Sequence, residues 1–322
     1  MRLKVALHTI SSTLKCESVY ITGSYARGDQ TVQSDVDVLL LVRLPVLLSS
    51  IRKLSAFFKL KQYRVDMNII STYSLHGVMK GHSSPIIPSL VNWRNDAVLV
   101  SGKDLLPMPN ASIDSRSFAV FACRITRWVL GYIQSEPSGI RLSEEAVRWL
   151  NKQGKNMIEN CKIKGVPSSW RLLGERLIEE TSKHNPNLKL ICGWFAEMLE
   201  SIRKDLRFSL LDQDLYVLNV FAGSRKLLWR TLFKKAPVQL RFFDAMTILF
   251  KGASMEKPDP LLIHKSLELI DDHVIPIDSE NPYVIWHRAR KVLIQYFETA
   301  LRLPFGNIVI NKGPEYPRII FV

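Results

Sequence analysis

Apolar residues change their spacing once along this chain. Up to about residue 106, short apolar runs stand between amphipathic stretches; from Ser112 onward, apolar positions recur every three or four residues. The first part predicts alternating helix and strand. A helix over 2–14 leads to a strand over 18–22 and a helix opening at Gly23. A strand follows over the apolar run Val38–Val42, then a helix near 46–60 and a strand over Arg64–Ile70. In that strand Val65, Met67 and Ile69 alternate with Asp66 and Asn68, as in a half-buried strand. A short helix near 85–94, a strand over Asp96–Val100 and the exit Gly102-Lys103-Asp104-Leu105 close this part. Pro107-Met108-Pro109-Asn110 reads as a linker.

Beyond the linker, Phe118, Phe121, Ile125, Trp128 and Val129 mark one apolar helical face. Ser143-Glu144-Glu145 starts a helix with a serine cap and acids in its first turn. Further helices are expected near 170–181, 189–203, 213–235, 237–251, 260–271 and 282–302. Asn307–Ile310 and Arg318–Val322 read as a terminal hairpin. The expected fold class is therefore an α/β (α+β) domain at 1–108, then a mostly helical domain at 109–322.

Composition narrows the functional classes. A hydrophobic content of 47% is enough for packed cores. The four cysteines, Cys16, Cys123, Cys161 and Cys192, form no Cys-x-x-C pair and read as reduced and mostly buried, in a cytoplasmic setting. The most apolar stretch, Val38–Leu48, is broken by Arg43 and Pro45 and is too short to span a bilayer. The net charge of +14 is spread along the chain: residues 1–110 hold 13 Lys/Arg against 7 Asp/Glu. A field of this sign draws anions such as nucleotides and RNA. Lys226, Arg230 and Lys234 share one helical stripe, and Trp286-His287-Arg288-Ala289-Arg290-Lys291 is a second basic cluster. Both read first as solvated helix faces, and as tracks for RNA phosphates second.

The chemistry concentrates near the N-terminus. Ser34-Asp35-Val36-Asp37 opens the Val38–Val42 run, and residues i and i+2 of a strand share a face. Two carboxylates held that close repel one another unless a cation joins them. Ser34-Asp35 alone would pass for a turn, but Asp37 lies inside an apolar strand, where an isolated charge is costly. Asp66 becomes a third carboxylate if its strand pairs beside the first, and Asn68, on Asp66's face, reads as a surface or supporting residue. Upstream, Gly23-Ser24 opens a helix, where a glycine admits close approach and free N–H groups attract anions. Arg27 adds positive charge nearby. Asp29-Gln30 stand where a Walker loop needs Lys and Ser/Thr, and Tyr25 stands where a dinucleotide fingerprint needs glycine.

The run Gly23-Ser24-Tyr25-Ala26-Arg27-Gly28, then Ser34-Asp35-Val36-Asp37 and the later Asp66 strand, resembles the polymerase-β-like nucleotidyltransferase superfamily over roughly residues 1–106. It looks most like the small bacterial and archaeal branch that includes the aminoglycoside nucleotidyltransferases. The resemblance implies a mixed sheet. It also implies that Gly23 and Ser24, with Arg27 and Ser34 beside them, hold the nucleotide. Asp35 and Asp37 would bind Mg²⁺, in a site for two ions that Asp66 completes. The implied reaction moves a nucleoside monophosphate, AMP from ATP at the family level, onto an acceptor hydroxyl. The acceptor is an RNA or tRNA end, a protein side chain or a small aminoglycoside; a non-catalytic nucleotide- or RNA-binding module is the remaining alternative. The Arg-x4-6-His of the helical ribonucleases that accompany some relatives is missing from the helical part.

Overall fold

The structure is a computed structural model that describes residues 2–30, 34, 36–42, 65–81, 83–84, 86–106, 112–136, 138–206, 236–269, 281–300, 307–312 and 317–321. The expected helices near 46–60 and 213–235, the linker at 107–110 and the basic stripe of Lys226, Arg230 and Lys234 lie outside the described residues.

The N-terminal part follows the predicted alternation closely. Helix α1 (Arg2–Leu14) leads into β1 (Cys16–Thr22), the short α2 (Gly23–Arg27), β2 (Val36–Val42) and β3 (Val65–Ser71). Helices α3 (Thr72–Met79) and α4 (Ile87–Asp96) precede β4 (Val98–Gly102). The pattern reading passed over α3. The strands form a six-stranded mixed sheet in the order β4-β1-β2-β3-β7-β8, where β7 (Asn307–Lys312) and β8 (Pro317–Phe321) are the expected terminal hairpin. Among the described strands of this sheet, only β2 and β3 run parallel. A parallel neighbour needs a crossover of a dozen or more residues, and residues 43–64 provide that length.

Strand alternation gives the sheet two buried faces. On one, Tyr20, Leu39, Leu41 and Ile70 join a large apolar cluster with Leu75, Val78, Ile87 and Leu90. Val36, Val38, Leu40 and Val42 point the other way and are also buried, and α1, which packs against β1 and β4, buries Leu7, Ile10 and Leu14. Burial on both faces is why β2 reads as an unbroken apolar run.

The rest is mostly helical: α5 (Ser115–Tyr132), α6 (Glu144–Asn160), α7 (Ser168–Thr181), α8 (Leu188–Asp205), α9 (Ala236–Ser254), α10 (Pro260–Glu268) and α11 (Pro282–Ala300). The predicted serine cap is present: Ser143 Oγ accepts from Ala146 N at 3.2 Å. A small hairpin, β5 (Ile133–Glu136) and β6 (Gly139–Leu142), stands where the sequence reading named no element. Trp170 is sealed in the core with Phe118 and Phe121 edge-on to it, ring centroids 5.2 and 5.7 Å away. The apolar cluster runs without a break from Leu39 through these helices to Leu293. Ser83 adds a polar link, its Oγ accepting from Asp114 N at 2.9 Å and donating to Ser117 Oγ at 3.1 Å.

One expected solvated face is partly internal. Trp286 and Arg290 are buried, and Arg290 Nη1 donates to the carbonyls of Leu130 and Gly131 at 2.8 and 3.2 Å, closing the C-terminal end of α5. His287 Nδ1 lies 3.3 Å from Arg290 Nη2, and burial with the charges of Arg290 and Lys291 holds the imidazole below its usual range. All four cysteines are free; Cys123 and Cys192 are buried, and burial pushes the half-buried Cys16 thiol up to about 12.

Candidate active site

Backbone register puts the functional positions in one row. Thr22 of β1 pairs with Asp37 of β2, and Asp37 pairs with Asp66 of β3. Neighbouring strands lie about 4.8 Å apart, so the register makes Asp37 and Asp66 immediate neighbours across the parallel pair. Asp66 in turn pairs with Val309 of the returning C-terminal hairpin. Asp35, the other predicted ligand, lies outside the described residues. Ser34, just before it, is half-buried.

Gly23 follows Thr22 and turns the chain out of the sheet into α2. Its φ of +68° lies in the left-handed region that disfavours residues with a Cβ. It is also a seat for a carboxylate. A Cβ built on Gly23 collides with Asp37 Oδ2 and lies 3.0 Å from Asp37 Cγ. Both facts require glycine here, and the second ties it to the carboxylate row. Thr22 stands at the N-cap in extended geometry, and its side chain makes no cap hydrogen bond, so it takes none of the first-turn amides of α2. The helix is five residues long. Its attraction for an anion therefore rests on those amides, the summed dipole of so short a helix being small.

Arg27, expected to meet phosphate, is shared between two acids. Its Nη1 lies 2.8 Å from Asp96 Oδ2 and its Nε lies 3.2 Å from Asp29 Oδ2. Two carboxylates offset the charge it presents to a nucleotide, a constraint that spacing along the chain does not reveal.

Asn68, expected as a surface or supporting residue, is not at the surface: it is 7% exposed, in register with Leu39 of β2 and Asn307 of β7. Asp104, noted only as part of the exit motif, anchors a second polar group. Arg94 Nη1 donates to both its carboxylate oxygens at 3.0 and 2.9 Å, and Tyr20 Oη donates to Oδ1 at 2.9 Å. The same Tyr20 oxygen accepts from Leu105 N at 2.7 Å. The Arg94 and Tyr20 hydrogen bonds hold the Asp104 carboxyl below the usual range.

Carboxylate oxygens are hard donors of the kind Mg²⁺ takes, and Asp37 presents one at the mouth of α2. Among the described residues no group of three His, Cys, Asp or Glu side chains converges on a metal position, and the side chains of Asp35 and Asp66 are outside that set. No helix among them is long and apolar enough to cross a membrane.

No curated protein matches the chain. Residues 5–74, which run from α1 through both aspartate-bearing strands, match the family model of the nucleotidyltransferase domain. This part of the chain is a nucleotidyltransferase domain of the polymerase-β-like superfamily.

Proposed function

We propose that the protein is a Mg²⁺-dependent nucleotidyltransferase that moves a nucleoside monophosphate from an NTP, ATP by preference, to an acceptor hydroxyl. The observation that carries this reading is the row of Thr22, Asp37 and Asp66 with the Asp37 carboxylate seated on Gly23. Asp35, Asp37 and Asp66 are the residues that would hold the metal. Bound there, Mg²⁺ supplies charge neutralisation for the phosphates and for the departing pyrophosphate.

The chain's own groups do the rest. The amides opening α2 at Gly23 and Ser24 take the outer phosphates, with Arg27 adding charge from the last turn. Asp66 orients the acceptor hydroxyl and takes its proton as the oxygen bonds to the α-phosphorus. The bond from that phosphorus to the bridging oxygen breaks, and pyrophosphate leaves with the electron pair. For the acceptor, the net charge of +14 favours a polyanion, an RNA or tRNA end, over a cationic aminoglycoside.

Incubation with each α-labelled NTP, Mg²⁺ and either total RNA, cell lysate or aminoglycosides tests both parts. The RNA fraction should become labelled. The Asp35→Ala/Asp37→Ala double variant should melt like the wild type and transfer nothing. Transfer by the double variant refutes the site, and label on protein or aminoglycoside refutes the RNA acceptor alone.

A further inference from the structure

Arg27 is the one lysine or arginine between Lys15 and Arg43, a stretch that also holds Gly23, Ser24, Asp35 and Asp37. The fold gives this cation two acids. Nη1 donates to Asp96 Oδ2 at 2.8 Å, and Nε donates to Asp29 Oδ2 at 3.2 Å. Nη2 hydrogen-bonds to none of the described residues, and the side chain is 36% exposed. Two nitrogens of the fork are therefore pinned while the third is open to an incoming anion.

Backbone register explains the meeting. Val98, the first residue of β4, pairs with Ile21 of the antiparallel β1, which brings the end of α4 to α2. Asp96 is the last residue of α4. A carboxylate there faces the negative end of the helix dipole, and ion pairs this exposed add little to stability. Neither helix formation nor stability therefore accounts for an acid at this place. Its electrostatic effect is larger: a polyphosphate beside Arg27 meets one positive charge with two negative ones around it, in place of a free cation.

We propose that Asp96 is a positioning residue that acts through Arg27: with Asp29 it pins the guanidinium and offsets its charge, so that polyphosphate is held loosely enough for pyrophosphate to leave. The inference rests on the nucleotide reading given above, in which Arg27 meets the phosphates.

Magnesium pyrophosphate and magnesium ATP are the probes, titrated separately into the full-length protein by calorimetry. Asp96→Asn keeps an oxygen in place for Nη1 and removes the charge. It should bind both probes at least about twofold more tightly. In the labelling assay the KM for NTP should fall and pyrophosphate should inhibit at lower concentration, while kcat does not rise. Damage to the fold has the opposite sign, because it weakens binding. Glu197→Gln takes the same charge from the Arg176 pair in the helical part and should leave both affinities unchanged. In an Arg27→Gln background, Asp96→Asn should gain nothing, because its effect passes through the guanidinium. Should Asp96→Asn fail to fold, Asp29→Asn, at a side chain 60% exposed, should show the same gain. Unchanged or weaker binding in the folded variant overturns the inference alone, as does a gain that persists without Arg27 or appears equally in Glu197→Gln. A wild-type protein that binds neither probe overturns the nucleotide reading and this inference together.

Discussion

A single methyl group tests the contact between Gly23 and Asp37. Alanine at φ +68° carries a left-handed backbone penalty of about 1–2 kcal/mol. It also drives a Cβ into Asp37 Oδ2, so the carboxylate must leave its seat. Gly28 separates the two effects. Its φ is +78°, yet a Cβ there meets nothing within 4 Å. Gly23→Ala and Gly28→Ala should therefore share a similar backbone cost in thermal melts. Pyrophosphate release should fall steeply, tenfold or more, only in Gly23→Ala, a drop of about 1.4 kcal/mol or more in transition-state stabilisation. Equal losses of activity in both variants would mean that the seat does not matter.

Between elements, β1, α4 and the exit from β4 meet at Tyr20, Arg94 and Asp104. Tyr20 is 1% exposed, so Tyr20→Phe leaves the Leu105 N–H without its partner. The expected cost is about 1–3 kcal/mol, read from denaturant unfolding. Asp104 has a pH signature. Arg94 first, then Tyr20, holds its carboxyl below the usual 3.8, so the folded state binds its proton less readily than the unfolded chain. Its contribution is complete above that ordinary value and is lost as pH falls through the lower folded one. Asp104→Asn should flatten the acid limb of melting temperature against pH, by a small amount because the group is about half exposed. An unchanged acid limb would assign the group no such role. These elements are largely legible in the sequence, because the Val38–Val42 run and the alternation around Asp66 are local signals. The joint among Tyr20, Arg94 and Asp104 is not. It needs strands and helices far apart in sequence to meet, and no local periodicity encodes that. The same holds for the register that sets Asp66 beside Asp37, which the sequence poses only as a condition. Arg27 is the converse case: the motif advertises its charge, while the fold brings Asp96 to it from 69 residues away.

Across the whole molecule, the last strand pair returns to the first sheet. β7 pairs with β3 at Asp66, Met67 and Asn68, so the hairpin assigned by pattern to a helical domain extends the sheet that carries the site. A shared apolar cluster likewise joins the parts that composition divides near residue 108. Long-range pairing of this kind is invisible to spacing, though the hairpin itself is not. Charge is organised at this scale as well. Many helical-part cations have acid partners, among them Arg171 with Glu175, Arg176 with Glu197, Lys183 with Glu180 and Arg203 with Asp244. Arg148, Lys152 and Lys155 are exposed at i, i+4 and i+7 on α6, and none has an ion-pair partner among the described residues. Under the RNA-acceptor reading, this stripe is where phosphates meet the helical part. Each phosphate neutralised on a single strand contributes about 0.7 to the slope of log K against log salt, so three contacts contribute about 2. Reversing all three cations to glutamate should lower the slope for a labelled single-stranded RNA by about that amount, as read by fluorescence anisotropy across a KCl series. NTP binding without RNA should be unaffected, because the carboxylate row is untouched. A slope that stays the same takes α6 out of the RNA surface and leaves its cations as a solvated face.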